Sequence, residues 1–276
     1  MRLKDKVAIV TGAGQKQGEG IGNGRATAIT FAREGAQLLL VNRSMESLEE
    51  TRLAIEDEGY SAACMVADIS LEDDCRKIAQ EAVAQFGRID IVHNNVGVGR
   101  LDGDTVKLDL ADWRDTLDVN LSGAMLISKH TLPAMRAQKS GCITHVSSIA
   151  AVSSYPLIAY KVSKSALNEF TRWLAFENAP YNIRCNVLML GFIDTPLAIE
   201  GYHAATQKPR EEIRRERDKS VPMGRMGVGS LRAIPGLRRR ILYNRRSAPG
   251  GWRPFVSRGL VAGGPCLYEP GIRNRK

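Results

Sequence analysis

Short segments that are apolar throughout alternate with longer amphipathic segments along most of this 276-residue chain. Continuously apolar strands separated by helices indicate a parallel sheet covered on both faces. The pattern predicts strands at residues 6–10, 37–41, 62–67, 89–93, 142–146 and 183–188. It predicts helices at residues 25–34, 44–58, 71–86, 112–139 and 158–178. The expected fold is therefore a doubly wound α/β sheet, and no internal repeat competes with it.

Composition excludes several other classes of protein. The chain is 43% apolar and 25% charged, which supplies enough material for a buried core. Its longest apolar runs, about seven residues, are too short to span a membrane. The five cysteines are scattered, with no CxxC pair and no Cys/His cluster, so we expect neither a metal site nor a disulfide framework. Dispersed thiols and the lack of a signal-peptide pattern favour a cytoplasmic protein.

The net charge of +9 is concentrated in one segment of the chain. Residues 228–276 contain ten Arg and one Lys against one acid, together with eight Gly and five Pro. Residues 1–227 are close to neutral and lack the charge that a nucleic-acid surface requires. We therefore expect a body, 1–227, an atypical tail, 228–276, and no nucleic-acid partner.

A glycine-rich segment, residues 12–24, joins the first predicted strand to the first predicted helix. Such a turn lets the backbone approach a pyrophosphate, while the helix N-terminus offers it free N–H groups. The segment therefore predicts a dinucleotide site. The second strand ends in Val41-Asn42-Arg43-Ser44, without the acid that grips the ribose of NAD. Because Arg43 suits an additional 2′-phosphate, we expect NADP, with NAD as the alternative.

Tyr160 and Lys164 are four residues apart at the start of a predicted helix, so they share one helix face. A free tyrosine has a pKa near 10 and is a poor acid–base catalyst at neutral pH, but a nearby ammonium lowers that pKa. The pair therefore predicts proton transfer to or from a substrate oxygen.

With this pair and several other motifs, the chain resembles the short-chain dehydrogenase/reductase family over about residues 5–227. The resemblance implies a Rossmann-like fold, hydride transfer between a nicotinamide cofactor and a small carbonyl compound or secondary alcohol, and a homo-oligomer. The motifs that carry it occur in the family's order: Thr11-Gly12 with the later glycines, Asp68, Asn94-Asn95-Val96-Gly97, Asn120, Ser147-Ser148, Tyr160-x-x-x-Lys164 and Gly191-Phe192-Ile193-Asp194-Thr195.

The resemblance implies four catalytic residues, Asn120, Ser148, Tyr160 and Lys164. Tyr160 would be the general acid in reduction and the base in oxidation, while Lys164 would lower its pKa and hold the nicotinamide ribose. Ser148 would hydrogen-bond the substrate oxygen, although Ser147 has the commoner spacing from Tyr160. Asn120 would support a water-linked proton relay to Lys164. The structural alternative is that Asn120 braces its own helix.

The resemblance also implies a set of cofactor contacts. Asp68 and Ile69 would flank the adenine, although Asp68 is also a candidate helix cap. Residues 95–97 would pack near the cofactor, and Ile193 and Thr195 would contact its carboxamide end. The full set is Gly12, Gly22, Gly24, Arg43, Asp68, Ile69, Asn95, Val96, Gly97, Tyr160, Lys164, Ile193 and Thr195.

The chain departs from the family pattern at two important places. The glycine segment is about six residues longer than usual, so Gly20/Gly22 competes with Gly22/Gly24 as the last glycine pair. The tail replaces the family's last helix and strand, and one hypothesis for its composition is a shifted reading frame. This change puts the homo-oligomer in doubt. It also makes a catalytically impaired cofactor-binding or scaffold protein the alternative function.

Residues 196–226 are expected to form the family's lid over the substrate. Within it, residues 210–217 read Arg-Glu-Glu-Ile-Arg-Arg-Glu-Arg. Such a charge pattern predicts a solvated helix face rather than a substrate clamp.

Overall fold

Six parallel strands form the central sheet of the protein. The computed structural model describes residues 1–99, 104–221 and 226–228. The strands lie in the order β3-β2-β1-β4-β5-β6, and every neighbouring pair is parallel. The predicted doubly wound, Rossmann-like sheet is therefore confirmed. Its strands are β1 (Val7–Thr11), β2 (Gln37–Asn42), β3 (Ala63–Val66), β4 (Ile91–Asn94), β5 (Gly141–Ser148) and β6 (Ile183–Leu190).

Helices cover both faces of this sheet. They are α1 (Asn23–Arg33), α2 (Met45–Glu56), α3 (Glu72–Phe86), α4 (Leu110–Leu117), α5 (Gly123–Gln138), α6 (Ile158–Asn178), α7 (Pro196–Thr206) and α8 (Arg210–Ser220). The last two helices lie in the expected lid, between the short paired strands β7 (Ile193–Asp194) and β8 (Gly227–Val228). Among the helices that the structure describes, none is long and apolar enough to cross a lipid bilayer.

Alternate residues of the strands enter two separate cores, which explains why these segments are apolar throughout. Ile9 and Leu39 pack with residues of α3, α5 and α6 on one face. Val10 and Leu40 pack with residues of α1 and α2 on the other. Burying each such side chain contributes about 1.5–3 kcal/mol relative to leaving it exposed.

The prediction of one helix over residues 112–139 is wrong. The structure has two helices there, α4 and α5, separated by a π-helical turn, Asp118–Ser122. Such turns are rare and frequently occur at functional sites. The turn contains Asn120, whose side chain bonds to residues outside its own helix, as described below.

The sheet places its binding edge where the strand order reverses. The chain leaves β1 for β2 on one side, while β4 pairs with β1 on the other. Ligands of doubly wound sheets bind in the crevice beyond the carboxyl ends of the strands at this point. The altered last helix and strand predicted for the tail fall on residues 229–276, outside the described residues.

Candidate active site

The glycine segment forms a close junction between β1 and α1. Gly12 has a φ of +66°, a left-handed conformation that favours glycine. A Cβ atom at Gly24 would overlap the carbonyl oxygen of Gly12 and lie 2.7 Å from Asn95 Nδ2. At Gly22 a Cβ atom would meet nothing closer than 3.7 Å. The close approach at Gly24 favours the Gly22/Gly24 register over Gly20/Gly22.

The N-terminus of α1 lies at the wall of a cleft. The cap residue Gly22 makes no side-chain cap hydrogen bond, and the first turn of the helix contains no acid. The first N–H groups and the positive end of the helix dipole therefore remain available to an anion. Together with the Gly12/Gly24 junction, this arrangement fits the pyrophosphate of a dinucleotide.

The additional residues of the glycine segment join this junction to the lid. The Gln15 side chain accepts a hydrogen bond from Gly22 N at 2.8 Å and donates one to Gly20 O at 3.1 Å. From the resulting loop, Glu19 pairs with Arg214 of α8 at 3.0 Å. The longer segment therefore contacts a lid helix beside the cleft.

Arg43 and Asp68 meet at the ends of neighbouring strands, where the adenosine is expected. An Nη1 atom of Arg43 lies 3.5 Å from Asp68 Oδ2, and the Arg43 side chain is 68% exposed. Burial alone would raise the pKa of Asp68, but hydrogen bonds from Ser70 and the charge of Arg43 bring it below its usual value. Asp68 bonds to Ser70 rather than capping α3, whose N-cap is Leu71.

The segment after β4 lies between the glycine junction and α6. Asn95 Nδ2 donates a hydrogen bond to Gly12 O at 3.1 Å. Two residues later, a Cβ atom at Gly97 would lie 3.1 Å from Lys164 Nζ. Backbone at this point therefore runs directly past the Lys164 ammonium.

Lys164 is buried although it carries a charge. Its side chain enters the cleft wall, where Nζ donates a hydrogen bond to Val146 O at 2.8 Å. The residue is only 2% exposed, and burial lowers the pKa of Lys164 to about 8. An ammonium at this depth has donor capacity left for a further polar partner.

The expectation that Lys164 lowers the pKa of Tyr160 is not met. Burial raises the pKa of Tyr160 above its usual value, the hydrogen bond with Ser148 opposes that rise, and Tyr155 adds to it. Lys164 Nζ lies 5.7 Å from the centroid of the Tyr160 ring. The cost of removing the phenolate from water therefore dominates over the opposing hydrogen bond with Ser148, and Lys164 is not among the groups that shift this pKa.

The two candidate serines have different surroundings. Ser147 is buried, and its Oγ donates to the backbone oxygen of Lys164 at 3.3 Å. Ser148 Oγ accepts a hydrogen bond from Ala150 N at 3.1 Å and bonds to the Tyr160 side chain. The structure thus brings Ser148, rather than Ser147, to the phenol.

Asn120 links the π-helical turn to two other segments. Its Oδ1 accepts from Val98 N at 2.8 Å, and its Nδ2 donates to Val98 O at 2.8 Å and to Ser163 Oγ at 3.0 Å. The alternative that Asn120 braces its own helix is therefore wrong. Sequence reasoning missed Ser163, although its position between Tyr160 and Lys164 on α6 was a usable signal.

One cleft of about 1650 Å³ collects nearly all the predicted site residues. Every candidate lines it except Asn120, which lies behind the wall. Ile193 of β7 and Thr195, the N-cap of α7, line the end nearest the lid. The volume exceeds the roughly 300–1,000 Å³ of a typical small-ligand pocket, so it accommodates a dinucleotide together with a second small molecule.

The prediction that residues 210–217 form only a solvated face is wrong for part of α8. Ile213 is completely buried, and Arg217, four residues later on the same helix face, lines the cleft. Its guanidinium lies over the rings of Phe192 and Tyr202, with its carbon 5.5 and 5.0 Å from their centroids. The sequence signal was the single apolar residue in this charged run, which identifies the inward face.

Comparison with known proteins agrees with this architecture. The family model described as short chain dehydrogenase matches residues 6–205. A 3-oxoacyl-[acyl-carrier-protein] reductase, FabG, of Thermotoga maritima is 33% identical over 230 residues, covering 82% of this chain and 87% of the relative. The oxidoreductase UcpA of Escherichia coli is 34% identical over 239 residues, covering 84% and 88%.

Solved structures extend the likeness to three dimensions. The crystal structure of levodione reductase aligns with a TM-score of 0.78 at 29% identity, covering 84% of this chain and 89% of that one. The parallel sheet with its cleft defines a dinucleotide-binding α/β enzyme. This chain belongs to the short-chain dehydrogenase/reductase family, whose members are NAD(P)-dependent oxidoreductases.

Proposed function

We propose that this enzyme transfers a hydride between NADP(H) and a small carbonyl compound or secondary alcohol. The observation that carries the proposal is the arrangement of Ser148, Tyr160 and Lys164 on the wall of the cleft that also contains the Gly12/Gly24 junction. Proton-transfer groups and a dinucleotide cradle in one cleft are what carbonyl reduction requires.

Each side chain has a distinct task in this proposal. The nicotinamide cofactor supplies or accepts the hydride when bound. Ser148 and Tyr160 would hydrogen-bond the substrate oxygen, and the Tyr160 hydroxyl would donate its proton in reduction and recover it in oxidation. Lys164 would hold the ribose hydroxyls with the ammonium N–H groups that its hydrogen bond to Val146 O leaves free. Asn120 would fix the Val98 backbone that borders the same space.

The proposal is tested by titrating the purified protein with NADPH and NADH and then screening uncharged and carboxylate-bearing ketones for cofactor oxidation. We expect preferential NADPH binding and turnover of at least one ketone. Binding without any turnover would instead favour a catalytically impaired scaffold protein.

We also propose that the enzyme is a homo-oligomer. Light scattering on the same sample measures the mass of the particle and tests this proposal. The exposed pair Trp173 and Phe176 on α6 supports such an interface.

The preference for NADP(H) depends on Arg43 in this proposal. Arg43→Leu is expected to raise the Kd for NADPH about 10–100-fold, since a charge-assisted hydrogen bond to phosphate is lost. The Kd for NADH should change little, and fluorescence titration measures both. Arg52→Leu is the matched control, because Arg52 pairs with Glu49 and Glu56 on α2 away from the cleft. Equal weakening of both cofactors by Arg43→Leu would contradict this role.

A further inference from the structure

Arg217 lacks the acidic partners that Arg210 and Arg214 of α8 have, although it is less exposed than Arg215 of the same helix. Arg210 pairs with Glu200 at 2.7 Å. Arg214 pairs with three acids, Glu19, Asp194 and Glu211. In the part of the chain that the structure describes, no carboxylate lies within salt-bridge distance of Arg217. Its contacts are the faces of two aromatic rings, which attract a cation but cannot accept its directed hydrogen bonds.

The surroundings of Arg217 leave this charge poorly compensated. The guanidinium is partly buried on the inward face of α8, and burial lowers the pKa of Arg217 from its usual value. Asp194 is the carboxylate that interacts with it electrostatically, but Arg214 Nε already lies 3.4 Å from Asp194. Because a partly desolvated cation without an anionic partner is costly, the position favours an anion from outside the chain.

The position of Arg217 relates it directly to the reacting groups. Tyr155 connects the two, because its ring centroid lies 6.0 Å from that of Tyr160 and its phenol interacts electrostatically with Arg217. Tyr155, Tyr160, Tyr202 and Arg217 all line the same cleft. A molecule that places its carbonyl carbon at Tyr160 therefore meets the rings of Tyr155 and Tyr202 and the guanidinium of Arg217 in the same cleft.

We propose that Arg217 binds a carboxylate of the substrate, so that the enzyme acts on oxo-acids or hydroxy-acids. A monoanion fits better than a phosphate dianion, because Arg217 is a single cation and Glu216 lines the same cleft. Glu216 is itself held by Lys208 at 2.5 Å. The reaction in this inference rests on the proposed function, whereas the binding of a carboxylate by Arg217 does not.

Binding is tested without turnover by calorimetry on the full chain in saturating NADPH and in its absence. The two probes are cyclohexanecarboxylate and cyclohexanecarboxamide, which have the same shape and no reducible ketone. We expect the carboxylate to bind about 10–100-fold more tightly than the amide, the range of a charge-assisted hydrogen bond. Arg217→Leu should remove this preference, and Arg217→Lys should keep most of it.

The matched control is Arg215→Leu on the same helix. Arg215 is exposed and donates to the backbone oxygen of Glu211, so its loss should leave the carboxylate preference intact. If wild type binds both probes equally, or Arg217→Leu keeps the preference, the proposal is overturned. A variant that only lowers the melting temperature while preserving the preference would identify Arg217 as a lid-packing residue, which also overturns it.

Turnover provides a second readout. With 4-oxocyclohexanecarboxylate and its methyl ester, Arg217→Leu is expected to raise KM for the acid and to lower the ratio of kcat/KM for the acid to kcat/KM for the ester at least tenfold. An unchanged ratio of the two kcat/KM values would count against the assignment. If neither compound is reduced while the calorimetric preference depends on Arg217, the proposed reaction fails and the carboxylate site stands.

Discussion

Replacement of Tyr160 by Phe is expected to lower kcat by about 10³-fold, with little change in the affinity for NADPH. The substitution removes the hydroxyl that would exchange a proton with the substrate oxygen, and general acid–base catalysis contributes about 10²–10⁴-fold. It keeps the buried ring against Tyr155 and below Lys164 Nζ. Cofactor oxidation under saturating ketone measures kcat, and a fluorescence titration measures NADPH binding.

Tyr155→Phe is the matched control for this experiment. Tyr155 has the same side chain, lines the same cleft and contacts the Tyr160 ring, but the proposed reaction assigns it no proton. We expect Tyr155→Phe to retain kcat within about one order of magnitude, since it removes no acid–base step. A fully active Tyr160→Phe enzyme would refute the mechanism, whatever substrate the screen identifies.

Gly24→Ala is expected to raise the Kd for NADPH at least about 100-fold and to lower the melting temperature by several degrees. The added Cβ atom would overlap the carbonyl oxygen of Gly12 and crowd Asn95 Nδ2, and overpacking of this kind costs about 1–3 kcal/mol. The backbone must move apart to relieve the overlap. A 100-fold rise in Kd corresponds to about 2.8 kcal/mol, which is within the cost of such an overlap.

Gly22→Ala separates this steric effect from a general sensitivity of the loop. Its added Cβ atom would approach only the Gln15 side chain, at 3.7 Å, and the backbone of Gly22 has a φ of −70°, which alanine adopts easily. We expect NADPH binding and thermal stability close to those of wild type. Equal losses in the two variants would show that the close approach at Gly24 is not what shapes the cradle.

The strand and helix pattern was predictable because each β-strand depends mainly on its own apolar side chains. The cores on the two faces of the sheet require strands such as β1 to be apolar at every position, as Ile9 and Val10 illustrate. The division of residues 112–139 was not predictable in this way. It depends on Asn120 bonding to Val98 and Ser163, and these partners are distant in sequence.

Several site details also depended on contacts between distant segments. The spacing of Ser147 and Ser148 from Tyr160 left the choice between them open, whereas the alternation of side chains along β5 buries Ser147 and brings Ser148 to the phenol. Similarly, the additional glycine-loop residues gave no sequence indication that Glu19 would reach Arg214. Such pairings depend on how separate helices pack, which local patterns do not encode.

By itself, the sequence determined the class of fold, the position of the glycine junction between β1 and α1, and the placement of Tyr160 and Lys164 on one face of α6. These features follow from local periodicity, a glycine cluster between a strand and a helix, and one turn of helix. Only the tertiary structure decided which face of α8 meets the cleft. A run of mixed charges is compatible with either face in water, and burial of Ile213 against Ile199 of α7 and Met226 selects the face that carries Arg217 inward.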